Sequence, residues 1–280
     1  MTRHHCALIV ATLTPLLLAG CGSSSPSKAA GSSPSAGGAT TAPGASSPSR
    51  SAGPSQLSGS ITVFAAASLT GTFTTLGKQF EAAHPGTTVT FDFGPSSTLA
   101  QQITSRAPAD VFASASSKNM QTVVAAGDAK DPKVFVKNIA EIAVARESTS
   151  KVHALSDLAG PGVKVALCQQ QVPCGVLAQK VLDKAKVTVK PVTRALDVKA
   201  VLATVSSGEV DAGIVYVTDV RAAKGKVAGV MISQADNAST AYPIATVTAG
   251  KNTALAQAFQ DFVLSSDGQQ VLTQAGFARP

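Results

Sequence analysis

The sequence predicts an α/β fold with a mostly parallel sheet covered by helices on both faces. Three observations point there. Short β-rich runs alternate with longer helical ones from residue 58 to the C-terminus. The 223 residues of that stretch suffice for a sizeable core and for two lobes. No segment within it stays apolar long enough to cross a bilayer as a helix.

The elements follow in order. Ile61 to Phe64 is a compact apolar run and reads as a strand. Leu69, Phe73, Leu76 and Phe80 then recur at helical spacing and stop at His84-Pro85-Gly86. Val89, Phe91 and Phe93 alternate with polar residues, which predicts a second strand. A helix over about 97–106, a buried strand over 110–113 and a helix over about 120–126 come next. Strands are predicted at 139–144 and 163–167, helices at 175–185 and 198–205, and a strand at 213–217. A strand at 242–247 precedes two helices, 253–264 and 267–275. Periodicity does not say which strands share a sheet.

Charge excludes one large class. The formal charge of +7 includes Arg3, Lys28 and Arg50, and no acid precedes residue 58. The rest carries 20 Lys and Arg against 16 Asp and Glu, without basic runs. Trp is absent, and Tyr216 and Tyr242 are the two tyrosines. A nucleic-acid binder calls for a basic stripe with stacking aromatics, so none is expected as a partner.

At the start of the chain, Arg3, His4 and His5 precede an apolar run from Ala7 to Leu18 that Pro15 interrupts. This reads as a secretory signal over residues 1–20. Its end, Leu18-Ala19-Gly20-Cys21, resembles the bacterial lipobox, in which Cys21 carries lipid and becomes the mature N-terminus. An ordinary signal peptide with an incidental cysteine is the alternative. Residues 22–57 hold 12 Ser, 7 Ala, 6 Gly and 5 Pro and no aromatic residue. Such a segment cannot bury enough apolar surface to offset its ordering entropy, so 21–57 reads as a tether reaching about 30–35 Å. The expected location is the outer face of the cytoplasmic membrane, held by lipid. Once Cys6 leaves with the signal, Cys168 and Cys174 stand with five residues between them, which in an exported chain reads as a local disulfide. Two thiols without a nearby His make a poor zinc site.

The strand-to-helix junctions hold the candidate chemistry. Ser68 follows the first strand, Ser96-Ser97-Thr98 the second, Val172-Pro173-Cys174-Gly175 opens another helix, and Asp197-Val198 one more. Ligands of open α/β sheets bind at the carboxyl ends of strands, where helix N-termini favour anions. A single serine at such a place is most often an N-cap. Spacing does not show that these junctions converge.

The segments Ile61-Thr62-Val63-Phe64-Ala65-Ala66-Ala67-Ser68-Leu69-Thr70, Ser96-Ser97-Thr98-Leu99-Ala100, Ala107-Pro108-Ala109-Asp110-Val111-Phe112, Val172-Pro173-Cys174-Gly175 and Gly213-Ile214-Val215-Tyr216 resemble, in order, those of the molybdate-binding proteins of bacterial ABC importers. The resemblance spans residues 58–280. It implies the type 2 periplasmic-binding fold: two lobes, each a mixed sheet flanked by helices, joined by two crossover strands with the ligand cleft between. Lobe I is expected over 58–138 plus 241–280, and lobe II over 139–240.

By the same resemblance, Ser68 and Ser96 bind the oxyanion through hydroxyl and backbone N–H, Cys174 and Val198 through backbone N–H, and Tyr216 through its phenol. Cys174 stands where alanine is common in the family, and Pro95 where a small residue such as serine is; Ser97 is the fallback for Ser96. The implied ligand is molybdate or tungstate, bound as the oxyanion without direct protein–metal ligands or a cofactor. The implied protein is a monomer that docks on a permease driven by a cytoplasmic ATPase. A site of donors alone leaves the O–H of a protonated phosphate without an acceptor, and the smaller sulfate cannot reach all donors together. Sulfate or another tetrahedral oxyanion is the runner-up ligand.

Enzyme readings rank lower. Ser148-Thr149-Ser150-Lys151 has the Ser-x-x-Lys spacing of penicillin-interacting enzymes without the Lys-Thr-Gly partner, and reads as an exposed polar loop. His84 and His153 lie in no HExxH pattern and beside no GxSxG elbow, and Asp110 reads as structural. A surface hydrolase or a structural lipoprotein is the distant alternative.

Overall fold

The computed structural model describes residues 57–280. The expected signal 1–20, the lipidated Cys21 and, apart from Leu57, the tether 21–57 lie outside the described residues. In chain order the elements are β1 (Gly59–Ala66), α1 (Thr70–Ala83), β2 (Thr87–Gly94), α2 (Ser96–Thr104), β3 (Val111–Ala113), α3 (Ser117–Ala125), β4 (Lys133–Ala145), β5 (Val165–Cys168) and α4 (Pro173–Ala185). Then come β6 (Thr193–Ala195), α5 (Val198–Ser206), β7 (Ala212–Tyr216), α6 (Val217–Ala222), β8 (Val227–Met231), β9 (Ser239–Thr246), α7 (Thr253–Leu264) and α8 (Ser266–Gln274).

Two sheets share one strand. In the first, β1 pairs in parallel with β2 and β3, and β9 runs antiparallel to β3. In the second, β5 pairs in parallel with β6 and β7. β4 belongs to both: Lys133–Ile139 pair with β9, and from Ala140 onward the strand lies between β7 and β8, all antiparallel. The chain returns between β8 and β9, where Asn237 is tied to that partner switch. Its Oδ1 accepts from Ala140 N–H (3.2 Å) and its Nδ2 donates to Ala140 O (2.9 Å).

Both sheets are mixed, as the family resemblance implies, which corrects the reading of a mostly parallel sheet from strand–helix alternation alone. The parallel strands are those of the βα repeats, and every contact with β4 or β9 is antiparallel. β4 is also longer than the predicted 139–144: Val134-Phe135-Val136 extends it toward the N-terminus, with Phe135 and Val136 buried and the segment paired with β9. β6, α6 and β8 are three to six residues long and were not marked by periodicity.

Each sheet has its own core. Phe73, Phe80 and Phe259 pack edge to face beneath the first, with centroids 5.4–6.2 Å apart. Val144, Leu167, Leu177, Val181, Val201 and Ile214 lie in the core of the second. Both parallel sets end at the same place: the loops that leave β1, β2, β5, β6 and β7 at their C-terminal ends face one cavity.

Candidate functional site

The cavity is lined by the five predicted residues Ser68, Ser96, Cys174, Val198 and Tyr216, together with Pro95, Ala115, Asp197 and neighbours on the same loops. Ser97 is not part of the lining, so the geometry favours Ser96 over its fallback. The volume is ≈ 20 Å³. That is close to the room one water needs and far below the several hundred Å³ of a metabolite pocket, so the walls lie close together.

Backbone donors come from helix starts. The first N–H groups of a helix have no partner within it, and Ser96, Cys174 and Val198 all occupy the first two positions of α2, α4 and α5. Pro173 at the start of α4 supplies the helical φ and lacks an N–H that would go unpaired there. Asp197 caps α5, its Oδ1 accepting from Ala200 N–H at 2.9 Å. Ser68 differs slightly from expectation. It sits in a single 3-10 turn, Ala67–Leu69, between β1 and α1, rather than at the opening of the α-helix.

Side-chain donors are held from behind. Ser96 Oγ accepts from Ala115 N–H at 2.9 Å, which engages a lone pair and leaves its hydrogen free. Ser68 Oγ lies 2.9 Å from Tyr242 Oη. Tyr216 Oη is fully buried and, among the described residues, makes no hydrogen bond. Burial raises the Tyr216 pKa well above the usual phenol value, and the nearby Tyr242 phenol and Asp219 carboxylate add to the shift. The phenol is therefore a donor at any ordinary pH. Buried polar groups without partners are uncommon, and one that lines a cavity marks where a ligand's acceptor belongs.

The remaining electrostatics are local. Asp219 is fully buried, pairs with Lys199 Nζ at 2.8 Å and accepts Tyr216 N–H at 3.1 Å. Among the described residues, no Lys or Arg lines the cavity. Cys168, at the end of β5, is disulfide-bonded to Cys174, closing the loop that presents the Cys174 N–H.

Residues outside the cavity have structural partners. Asp110 accepts from Thr62 N–H and Lys251 N–H, each at 2.7 Å. His84 caps the end of α1 with its ring tilted against Phe80, and His153 N–H donates to Asp157. Ser148 corrects the expectation of an exposed loop: it is buried, and its hydroxyl donates to Asp211, which also accepts from Lys151 Nζ and Lys164 N–H. Burial alone raises the Asp211 pKa, but these bonds hold it at about 2. Sequence reasoning missed Ala115, Tyr242 and the Lys199–Asp219 pair. Only Tyr242 carried a signal, as one of two tyrosines in the chain.

Residues 61–278 match the family of bacterial extracellular solute-binding proteins. The chain is 41% identical over 222 residues to the molybdate-binding protein ModA of Mycobacterium tuberculosis, covering 79% of this chain and 85% of that protein. Against the molybdate-binding protein ModA of Escherichia coli, identity is 33% over 228 residues, covering 78% and 88%. The solved periplasmic molybdate-binding protein of Azotobacter vinelandii superposes with a TM-score of 0.71 at 21% identity, over 79% of this chain and 99% of that one, and shares the fold.

Proposed function

The chain belongs to the bacterial extracellular solute-binding protein family, and from that premise we propose that it captures molybdate outside the cytoplasm for delivery to an ABC importer. One observation carries the reading. A narrow cavity is lined by hydroxyls, helix-start N–H groups and a buried phenol without a partner among the described residues, and by no basic side chain among them. Such a site suits an anion that accepts on every side and carries no proton. Tungstate, close to molybdate in size and charge, suits the same donors.

In this reading Ser68 and Ser96 donate through hydroxyl and N–H, Cys174 and Val198 through N–H, and Tyr216 through its phenol. Residues 58–138 with 241–280 form one lobe and 139–240 the other, and the two close on the anion. The protein acts as a lipid-anchored monomer, with Cys21 as the anchor, and docks on a permease driven by a cytoplasmic ATPase. It is a carrier and not an enzyme: the Ser148 hydroxyl gives its hydrogen to an ionised Asp211 that Lys151 also pairs with, which supports a structural role for that trio.

Linkage supplies the test. At a ligand concentration a hundredfold above Kd, binding adds about 2.7 kcal/mol, or about 5–10 °C in Tm for a domain of this size. Molybdate and tungstate are expected to give that shift in a thermal melt, and sulfate and phosphate at most about a quarter of it. Equal shifts with all four anions would remove the selectivity argument.

Calorimetry tests the assignment of residues. Hydrogen bonds to a charged acceptor contribute about 1.5–3 kcal/mol, so Ser68→Ala or Ser96→Ala should weaken molybdate binding roughly tenfold to a hundredfold. Ser148→Ala should leave the affinity within about twofold, since its hydroxyl faces Asp211. Three similar affinities would mean that the serines are misassigned.

A further inference from the structure

The proposed site uses the Ser68 hydroxyl but gives no role to the group behind it. Tyr242 lies in β9, completely buried, with its Oη 2.9 Å from Ser68 Oγ. It does not line the cavity; its hydroxyl meets the site at Ser68, and its ring packs on that of Tyr216. Its ring is held edge to face by Tyr216, Phe135 and Phe277, with centroids 5.4–6.3 Å away, so the hydroxyl cannot swing elsewhere without repacking both cores' boundary.

We infer that Tyr242 is a positioning residue that fixes Ser68 as a hydrogen donor toward the cavity, and thereby sets the preference for unprotonated anions. The argument follows from counting hydrogens. The Ser68–Tyr242 bond has one hydrogen between two oxygens, and either oxygen can supply it. If Tyr242 donates, the Ser68 hydrogen is free to point at the anion. If Ser68 donates, its lone pairs face the cavity and would accept from a protonated anion. That second arrangement turns the Tyr242 hydrogen away from Ser68 Oγ, among the described residues its one partner at full hydrogen-bond geometry, and leaves it to the less well placed Asn138 and Tyr216 side chains. A buried donor left with poorer partners disfavours the state, by up to roughly a hundredfold where none is reached. Burial also raises the Tyr242 pKa above its ordinary value, so the hydrogen is there to give at neutral pH. Tyr242 thus biases the Ser68 hydroxyl toward donating into the cavity, by occupying a lone pair that would otherwise be open to a protonated anion.

This inference rests on the proposed function, and titration calorimetry at pH 7 separates the two. Molybdate and inorganic phosphate are titrated into the wild type, Tyr242→Phe, Ser68→Ala and the double variant. Tyr242→Phe keeps the ring and should lose about tenfold in molybdate affinity while phosphate binding holds or tightens, so the molybdate-to-phosphate ratio falls about tenfold. Ser68→Ala weakens both anions and keeps the ratio within about threefold. The double variant should bind molybdate as Ser68→Ala does, within about twofold, because the tyrosine acts through the serine. An unchanged ratio in Tyr242→Phe, or losses that multiply in the double variant, overturns the role of Tyr242 while leaving the proposed function standing. Wild-type protein that binds no molybdate overturns both. Should Tyr242→Phe fail to fold, the wild type carries the test by proton NMR. With molybdate bound, a slowly exchanging phenolic proton should show a cross-peak to the Ser68 β-hydrogens, and a serine hydroxyl proton aimed at Tyr242 instead would overturn the inference.

Discussion

Gly175→Ala is expected to weaken molybdate binding a hundredfold or more and to lower Tm by about 5 °C. Gly175 is the third residue of α4, where the helix runs against the loop that leaves β5. A Cβ placed there would stand 1.9 Å from Gln169 O and 2.7 Å from the Gln169 carbonyl carbon. Those atoms are backbone and cannot rotate aside, so either the helix start or the loop must move. Forced shifts of this kind cost about 1–3 kcal/mol of stability, or about 2–4 °C per kcal/mol in a chain this size. Binding suffers more than stability because the segment that moves carries the Cys174 N–H. Displacing that donor and its neighbour loses one or two bonds to a charged acceptor, about 3–5 kcal/mol. The disulfide between Cys168 and Cys174 spans the same loop and limits how the displacement can be absorbed. Gly71→Ala is the control: a Cβ there meets nothing within 4 Å, so affinity should not change. Wild-type affinity in Gly175→Ala, measured by calorimetry on folded protein, would show that the α4 start contributes no donor.

Much of this architecture could be read from the chain because its elements are local and strongly periodic. The helix predicted at 253–264 matches α7, and the runs 61–64 and 213–217 lie on or across β1 and β7. Val217 shows where local reading stops: it continues the apolar run of β7 but begins α6, because Asp219 accepts the N–H of Tyr216 and turns the chain. The long-range pairings were not legible. β4 serves two sheets: Val134-Phe135-Val136 is a local strand signal that the predicted 139–144 left out, but nothing near it names β9, some hundred residues later, as the partner. The site residues came from motif resemblance, and the structure gathers them at one cavity. The supports behind them did not come, because Ala115 offers only its N–H and Tyr242 reaches Ser68 from 174 positions away.

Lys199→Met should lower Tm by about 6–12 °C at pH 8, with most of that loss recovered at pH 4. Asp219 is completely buried, and Lys199 Nζ, 2.8 Å away, is the cation that pairs with it. Removing one partner of a buried pair leaves an uncompensated charge, at a cost of about 3–5 kcal/mol; the low end applies because the lysine side chain is one-third exposed. Methionine retains the apolar stem and removes the charge. The pH dependence follows from the carboxyl. Burial already raises the Asp219 pKa above the ordinary value, and Lys199 is the largest influence bringing it down. Without the lysine it rises further. A carboxyl whose folded pKa exceeds its unfolded one contributes stability at acid pH that is lost as pH rises through the folded pKa. The variant and the wild type therefore differ most above that pKa and converge as the pH falls below the folded pKa of both, where Asp219 is protonated in each. The site should respond in parallel: Asp219 accepts the Tyr216 N–H, so an unpaired carboxylate there repels a bound dianion at pH 8. Adding Asp219→Asn to Lys199→Met removes the stranded charge, keeps an acceptor for Tyr216 N–H, and should restore most of the stability. A Tm deficit that is the same at pH 4 and pH 8, and that the double variant does not relieve, would assign the loss to packing around the lysine stem instead of to charge.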